Sequence, residues 1–308
     1  MTSATHSVPG PLEPSARGPF WLAVGLVAMV IVLILMGAMV TSTGSGMAFS
    51  DWPMSDGQLM PERALTEAPA FLEHFHRLVG ALCGLLVVTL AIWLQVKRLA
   101  TPRIRKWAFF GIALISVQGA IGGIGVLKGL PYVTSVLHGT LAQVTIATFA
   151  VIAYSLSDRY CATVCEVHPA AGAARKLLTV GLIGLLVQTV LGAIARHAEQ
   201  QHALWTHVGN AFVLFLLLFI AGGFLIGRLQ AIRGILGLVR WLLVLLIVQI
   251  ALGFVALLVR TGKDPSNIEH LWRSSLISAH VLVGALLTVI TSLLAAHVCR
   301  CTRVAPTV

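Results

Sequence analysis

Five consecutive residues, Glu73-His74-Phe75-His76-Arg77, put a carboxylate, two imidazoles and a guanidinium at the mouth of a long apolar run. Such groups can move protons, ligate a metal or hold an anion. Ionisable residues at membrane depth are costly and therefore a functional hypothesis by default. Three more histidines hold corresponding places, each at or near the start of its own apolar run: His138, His207 and His280. One such histidine alone is equally well read as a hydrogen-bonded bridge to a neighbouring helix. Four of them at one depth point to paired imidazoles facing across a helix bundle, which suits a haem iron with one axial nitrogen from each helix. Zinc or copper would want a third or fourth nearby ligand, and only Glu73 is near the first pair, with no acid comparably close to His207.

His74 and His76, two residues apart, cannot share a helix face. His76 heads the pattern His76/Gly80, echoed by His280/Gly284. We read His74, His197, His202 and His270 as outer-loop or interfacial. Glu73 precedes His76 by three residues and so shares its face one turn away. It could reach the edge of a haem ligated by His76 and take up protons there, or it could be an interfacial carboxylate near a helix N-terminus. Arg77 could pair with a haem propionate through its planar fork or snorkel to the interface.

The elements that must position these groups are membrane helices. The 308 residues are 57% hydrophobic and 10% charged, against about 25% charged in a soluble domain, and the mean hydropathy is +0.92. Eight apolar runs are long enough to span a bilayer, which takes roughly 20 residues: 20–40, 76–94, 107–127, 136–154, 177–195, 208–226, 241–259 and 277–296. Their length excludes barrel strands, and spans of this kind satisfy their backbone as helices. With both termini cytoplasmic, fourteen of the 21 Lys and Arg residues fall on the inner side and three of the 11 acids, the expected bias. The net charge of +10 is then a topology signal, and no basic stripe interleaved with aromatics suggests a nucleic-acid partner. The first 19 residues carry one Arg and no Lys, so no removable signal is expected and a bacterial plasma (inner) membrane is the simplest address. Of the five cysteines, Cys161, Cys165, Cys299 and Cys301 fall inside and Cys83 within the second span, so no disulfide is expected. The spacing Cys161-x3-Cys165-x2-His168 resembles a metal cluster only loosely.

The spans repeat. The third, fifth and seventh carry Gln118-x3-Gly122, Gln188-x3-Gly192 and Gln249-x3-Gly253, while the first keeps only Gly37. A Gln and a Gly four apart share one helix face; the Gly admits a close neighbour and the Gln can bond across helices. Each odd span is followed by a histidine-bearing even span. The chain therefore reads as an all-α integral membrane protein, with eight transmembrane helices as two tandem four-helix bundles, 1–157 and 158–308. Both halves enter from the same side, so the repeat is parallel, whereas many transporters carry inverted ones.

The string Thr41–Pro61 (TSTGSGMAFSDWPMSDGQLMP), then EHFHR, then one His on each of spans four, six and eight, resembles the haem A synthase family across all eight spans. The joint pattern Thr-Gly-Ser-Gly, Asp-Trp-Pro and Glu-x2-His-Arg is specific; any one string alone is weak. The resemblance implies oxidation of a methyl substituent of haem O to the formyl group of haem A for the terminal oxidase, through successive hydroxylations and loss of water. It implies that His76 and His138 hold the substrate haem, that His207 and His280 hold a haem b cofactor, and that Glu73 is needed for activity. Implied partners are haem O, with a haem O synthase as candidate supplier, an electron donor or acceptor that the sequence does not name, membrane lipid, and a second copy of the chain as a candidate. Many members carry a cysteine pair around Asp-Trp-Pro; here Phe49 and Ser55 stand at those positions, so chemistry using outer-loop thiols is not expected. Asp51-Trp52-Pro53 is expected to shape a lid, with Gly44 and Gly46 letting the loop turn. Two rivals share the histidines. A di-haem b-type membrane electron-transfer cytochrome (a quinol oxidoreductase) would not require the Glu-x2-His-Arg string, and a proton-coupled transporter usually places its site near the midplane.

Overall fold

The computed structural model describes residues 17–161, 165–198, 200–259 and 268–304, with only the backbone at 268 and 269. The chain order is α1 (Arg17–Ser42), α2 (Arg63–Thr66), α3 (Ala68–Val96), α4 (Pro102–Leu127), α5 (Tyr132–Ser155), α6 (Asp158–Cys161), β1 (Glu166–Val167), α7 (Ala171–His197), α8 (Gln201–Leu229), α9 (Ile235–Leu258), α10 (Ile268–Cys301) and β2 (Thr302–Arg303). Among the described residues, eight helices are long and apolar enough to cross a membrane, the number read from the sequence. Arg260, Lys263 and most of the loop before α10 lie outside the described residues.

The helices outrun the apolar segments, mostly at their N-terminal ends. The second begins at Ala68 instead of 76, because Pro69 suits a first turn, where its missing N–H costs nothing. Thr101 caps α4 by accepting the Ile104 N–H at 3.4 Å. Hydropathy marks where lipid ends, but a helix continues wherever its backbone bonds continue. Consequently His76, expected at the mouth of its helix, sits two turns inside α3, and His280 lies more than three turns inside α10.

Helix α1 packs on α3 and α5, and α4 lies between α3 and α5; α10 packs on α7 and α9, and α8 lies between α7 and α9. One buried cluster joins α1, α3, α4 and α5 through Leu26, Val30, Val87, Leu90, Ala108, Ile146 and Phe149, with Ala285 of α10. A second joins α7 to α10 through Leu178, Leu185, Leu218, Leu225, Leu242 and Leu294. Helix α10 also meets α1 and α5, and α5 meets α7. At the end bearing the last turn of α10, β1 and β2 pair in parallel. There Tyr154 hydrogen-bonds to His297, whose Nε2 donates to the Arg233 carbonyl at 2.9 Å. The five cysteines are free thiols.

Candidate functional site

The four histidines of the repeat come together as two pairs. His76 of α3 and His138 of α5 face each other with ring centres 6.4 Å apart and planes at 64°. His207 of α8 and His280 of α10 also stand 6.4 Å apart, at 86°. Each imidazole rests on the glycine that the repeat supplies from an odd-numbered span. A Cβ added at Gly37, Gly122, Gly192 or Gly253 would lie 3.0, 3.0, 2.8 or 3.2 Å from Cε1 of His76, His138, His207 or His280 respectively. A methyl group at Gly192 has no room without moving the ring.

The glutamines fix two of the rings. His138 Nδ1 donates to the Gln118 carbonyl at 3.1 Å while the Gln118 amide donates to the His138 carbonyl at 2.9 Å. His207 and Gln188 repeat this exchange at 3.2 and 2.9 Å, and the Gln188 side chain is itself held by Asn210 at 2.7 Å. A carbonyl can only accept, so the proton of each ring stands on Nδ1 and the Nε2 lone pair is free, as a metal ligand requires. The first span has Leu33 where the others have Gln, and His76 Nδ1 is buried without a partner. Gln249 approaches His280 at Nε2 (3.4 Å), leaving its Nδ1 unpartnered.

The residues fit a haem iron. Two metal–imidazole bonds of about 2 Å, with each ring centre roughly 1.1 Å beyond its nitrogen, would put the centres about 6.3 Å apart, close to the spacing of both pairs. Free Nε2 atoms on His138 and His207 and glycine cradles behind all four rings complete the match. Among the described residues no three His, Cys, Asp or Glu side chains converge to hold a bare metal ion, so the Cys161–Cys165–His168 spacing forms no such group.

Among the described residues, only the first pair has a carboxylate beside it. Glu73 is buried, pairs with Arg77 one turn on, and accepts the Phe49 N–H at 3.2 Å. Arg77 does not snorkel. Its guanidinium donates to the carbonyls of Asp51 (2.7 Å) and Met54 (2.5 Å), fastening the loop between α1 and α2 over α3. That second role was invisible in a spacing argument, because the partners are some twenty-five residues away. His74, expected to be interfacial, is 3% exposed and bonds through Nδ1 to Ser55 Oγ at 2.9 Å. The Phe49 ring stands 6.1 Å from it. The two positions where the resemblance expects cysteines thus both close on His74. His270, also expected outside, is a buried residue in the first turn of α10 beside Ser274 (3.4 Å); His202 is exposed near the start of α8, and His197 ends α7.

The loop also reaches α4. The Trp52 indole sits on Gly123, where an added Cβ would come within 2.5 Å of it, next to the glycine that cradles His138. The loop thus bridges α3 and α4 above the first imidazole pair, as a lid would. Gly44 turns with φ 69°. Asp51 shapes the far end by accepting the N–H groups of Gly57 (2.8 Å) and Asp56 (2.9 Å), and these amides, Gly57 first, hold its carboxyl below the usual aspartate range. A depressed folded pKa means the anchor is fully present above the unfolded value of about 4 and is lost only as pH falls through the folded value. Asp51→Asn should therefore speed amide exchange at Asp56 and Gly57 several-fold at pH 7, while the unsubstituted loop loosens only in strong acid; hydrogen exchange across residues 49–61 checks both.

An eight-helix membrane bundle that faces two imidazole pairs across its helices is the class that fold and site define. The sequence model of the cytochrome oxidase assembly protein family matches residues 20–210, more than half the chain, and the chain belongs to that family. Curated relatives include three proteins named Heme A synthase. That of Exiguobacterium sibiricum is 29% identical over 175 residues, 56% of this chain and 58% of the relative. That of Symbiobacterium thermophilum is 31% identical over 177 residues, 55% of this chain and 56% of the relative. That of Roseobacter denitrificans is 32% identical over 139 residues, 42% of this chain and 36% of the relative. Each match spans less than two thirds of the relative's length.

Proposed function

We propose that this protein is a haem A synthase, converting a methyl substituent of haem O to the formyl group of haem A. The observation that carries the reading is two equally spaced imidazole pairs, the first of which, among the described residues, has a buried carboxylate beside it and a loop fastened across it. Family membership and the relatives' name support the same activity. In this reading His76 and His138 hold the substrate haem O, and His207 and His280 hold a haem b cofactor. The halves divide at 157/158, the first reacting and the second carrying electrons. When bound, the second haem supplies one-electron redox chemistry.

The protein's own residues do the rest. Gln118 and Gln188 hold His138 and His207 with Nε2 free to ligate. Trp52 and the Arg77-fastened loop cover the first pair and exclude water. Glu73 accepts protons at its carboxylate oxygens as the methyl carbon takes up two oxygens from water and gives up four electrons to the external electron partner, and the resulting gem-diol loses one water to leave the aldehyde. The address is the bacterial plasma membrane, with both termini cytoplasmic. The lysine and arginine bias supports it. Haem O synthase is the candidate supplier, and the electron partner binds elsewhere on the chain or its lipid surroundings.

Co-expression with a haem O producer, followed by chromatography of extracted haems, tests the activity. A formyl haem absent from cells lacking this protein is the expected result. Haem B and unchanged haem O would instead leave the di-haem electron-transfer cytochrome, which shares the paired histidines.

A further inference from the structure

The cradle glycines share a register, so the residue four places beyond each lies on the same helix face one turn further on. Those residues are Thr41, Val126, Arg196 and Leu257. Three are uncharged, and the fourth puts a cation on the α7 face that already carries Gln188 and Gly192 against His207. The Arg196 guanidinium is part-buried and reaches across to α1, where Nη2 donates to the Ala38 carbonyl (3.1 Å) and Ser42 Oγ (2.5 Å). Ala38 adjoins Gly37, the cradle of His76. Arg196 therefore lies between the two imidazole pairs.

Both pairs have a cation beside them, but they differ in what balances it. Arg77 is neutralised by Glu73. Among the described residues no carboxylate pairs with Arg196, and Nε and Nη1 meet no acceptor. A guanidinium held away from water without an anion is expensive, and its remaining donors suit a planar carboxylate.

We propose that Arg196 is the anion-holding residue of the second site, taking a carboxylate of the porphyrin bound between His207 and His280 and raising that haem's reduction potential. The inference rests on the haem b reading of the second pair. The physical ground for the second effect is that a nearby positive charge favours the form of the centre carrying the extra electron, and charge around a haem is one of the protein's levers on its potential.

The test is a redox titration, followed at the Soret band, of purified protein in a His76→Ala background, so that one complete imidazole pair remains. Arg196→Gln should lower the midpoint potential, Arg196→Lys should stay near the parent, and Ser42→Ala, which cuts one of its two hydrogen bonds to α1 but keeps the charge, should leave the potential in place. A parent-like potential in Arg196→Gln overturns the proposal. So does a Ser42→Ala shift as large as that of Arg196→Gln, since Arg196 would then act as a staple between helices. A parent with no bis-imidazole haem spectrum overturns the reading beneath it as well.

Discussion

Gly192→Val should strip the haem from the second site while all four paired histidines remain in the chain. A Cβ there falls 2.8 Å from Cε1 and 3.1 Å from Nδ1 of His207. The ring cannot swing away freely, because Nδ1 is tied to the Gln188 carbonyl of the same helix. The helices cannot part cheaply either: Leu218 and Leu214 of α8 already fill the spaces over Gly181 and Gly184 of α7, each within 2.8 Å of where a Cβ would stand. Overpacking of this kind costs about 1–3 kcal/mol. Spent on ligand geometry, that is roughly a 5- to 150-fold loss of haem occupancy, by the tenfold per 1.4 kcal/mol relation. His207→Ala should match it by removing the ligand outright. Gly253→Val should do less, since its Cβ would clear His280 by 3.2 Å, and Gly223→Val, with nothing within 4 Å, should do nothing. Haem per protein from pyridine haemochrome spectra ranks the four variants. Wild-type occupancy in Gly192→Val would show that the cradle does not hold the ligand.

That ranking starts from a pattern visible in the sequence. The Gln-x3-Gly spacing and the one histidine per even span follow from helical periodicity, which a linear string records directly. What the string does not record is who sits on the glycine. A close helix approach was the expectation, and the structure puts an imidazole there. The loop from Thr43 to Pro61 was legible only as a lid of the right composition. Its fastening by Arg77, its closure on His74 through Ser55, and the seating of Trp52 on Gly123 join residues far apart in the chain, and no local spacing encodes them. A charge tally records Arg196 only as a sign at a position along the chain, not as a donor to the carbonyl of Ala38 on another helix.

The same distance between spacing and contact makes Glu73 the sharper case. Glu73→Gln should leave haem bound at both pairs and cut formyl production by about 10²- to 10⁴-fold, the usual range for a lost acid–base group. Glutamine keeps an oxygen for the Phe49 N–H, so the fold of the loop start survives, but it cannot carry a proton to or from the reacting carbon. The difficulty is that Glu73 is also the partner of Arg77, and a loosened loop would lower activity by admitting water. Arg77→Gln separates the two roles. It releases the loop from the carbonyls of Asp51 and Met54 and leaves the Glu73 carboxylate in place. If proton transfer is the role of Glu73, Arg77→Gln should lose much less formyl haem than Glu73→Gln, although its loop 49–61 exchanges amides faster. Equal losses in the two variants would assign Glu73 to holding the lid. Full haem A output from Glu73→Gln would remove it from the chemistry altogether. Extracted haems from cells supplied with haem O, run beside hydrogen exchange of the same two proteins, give both readings from one preparation.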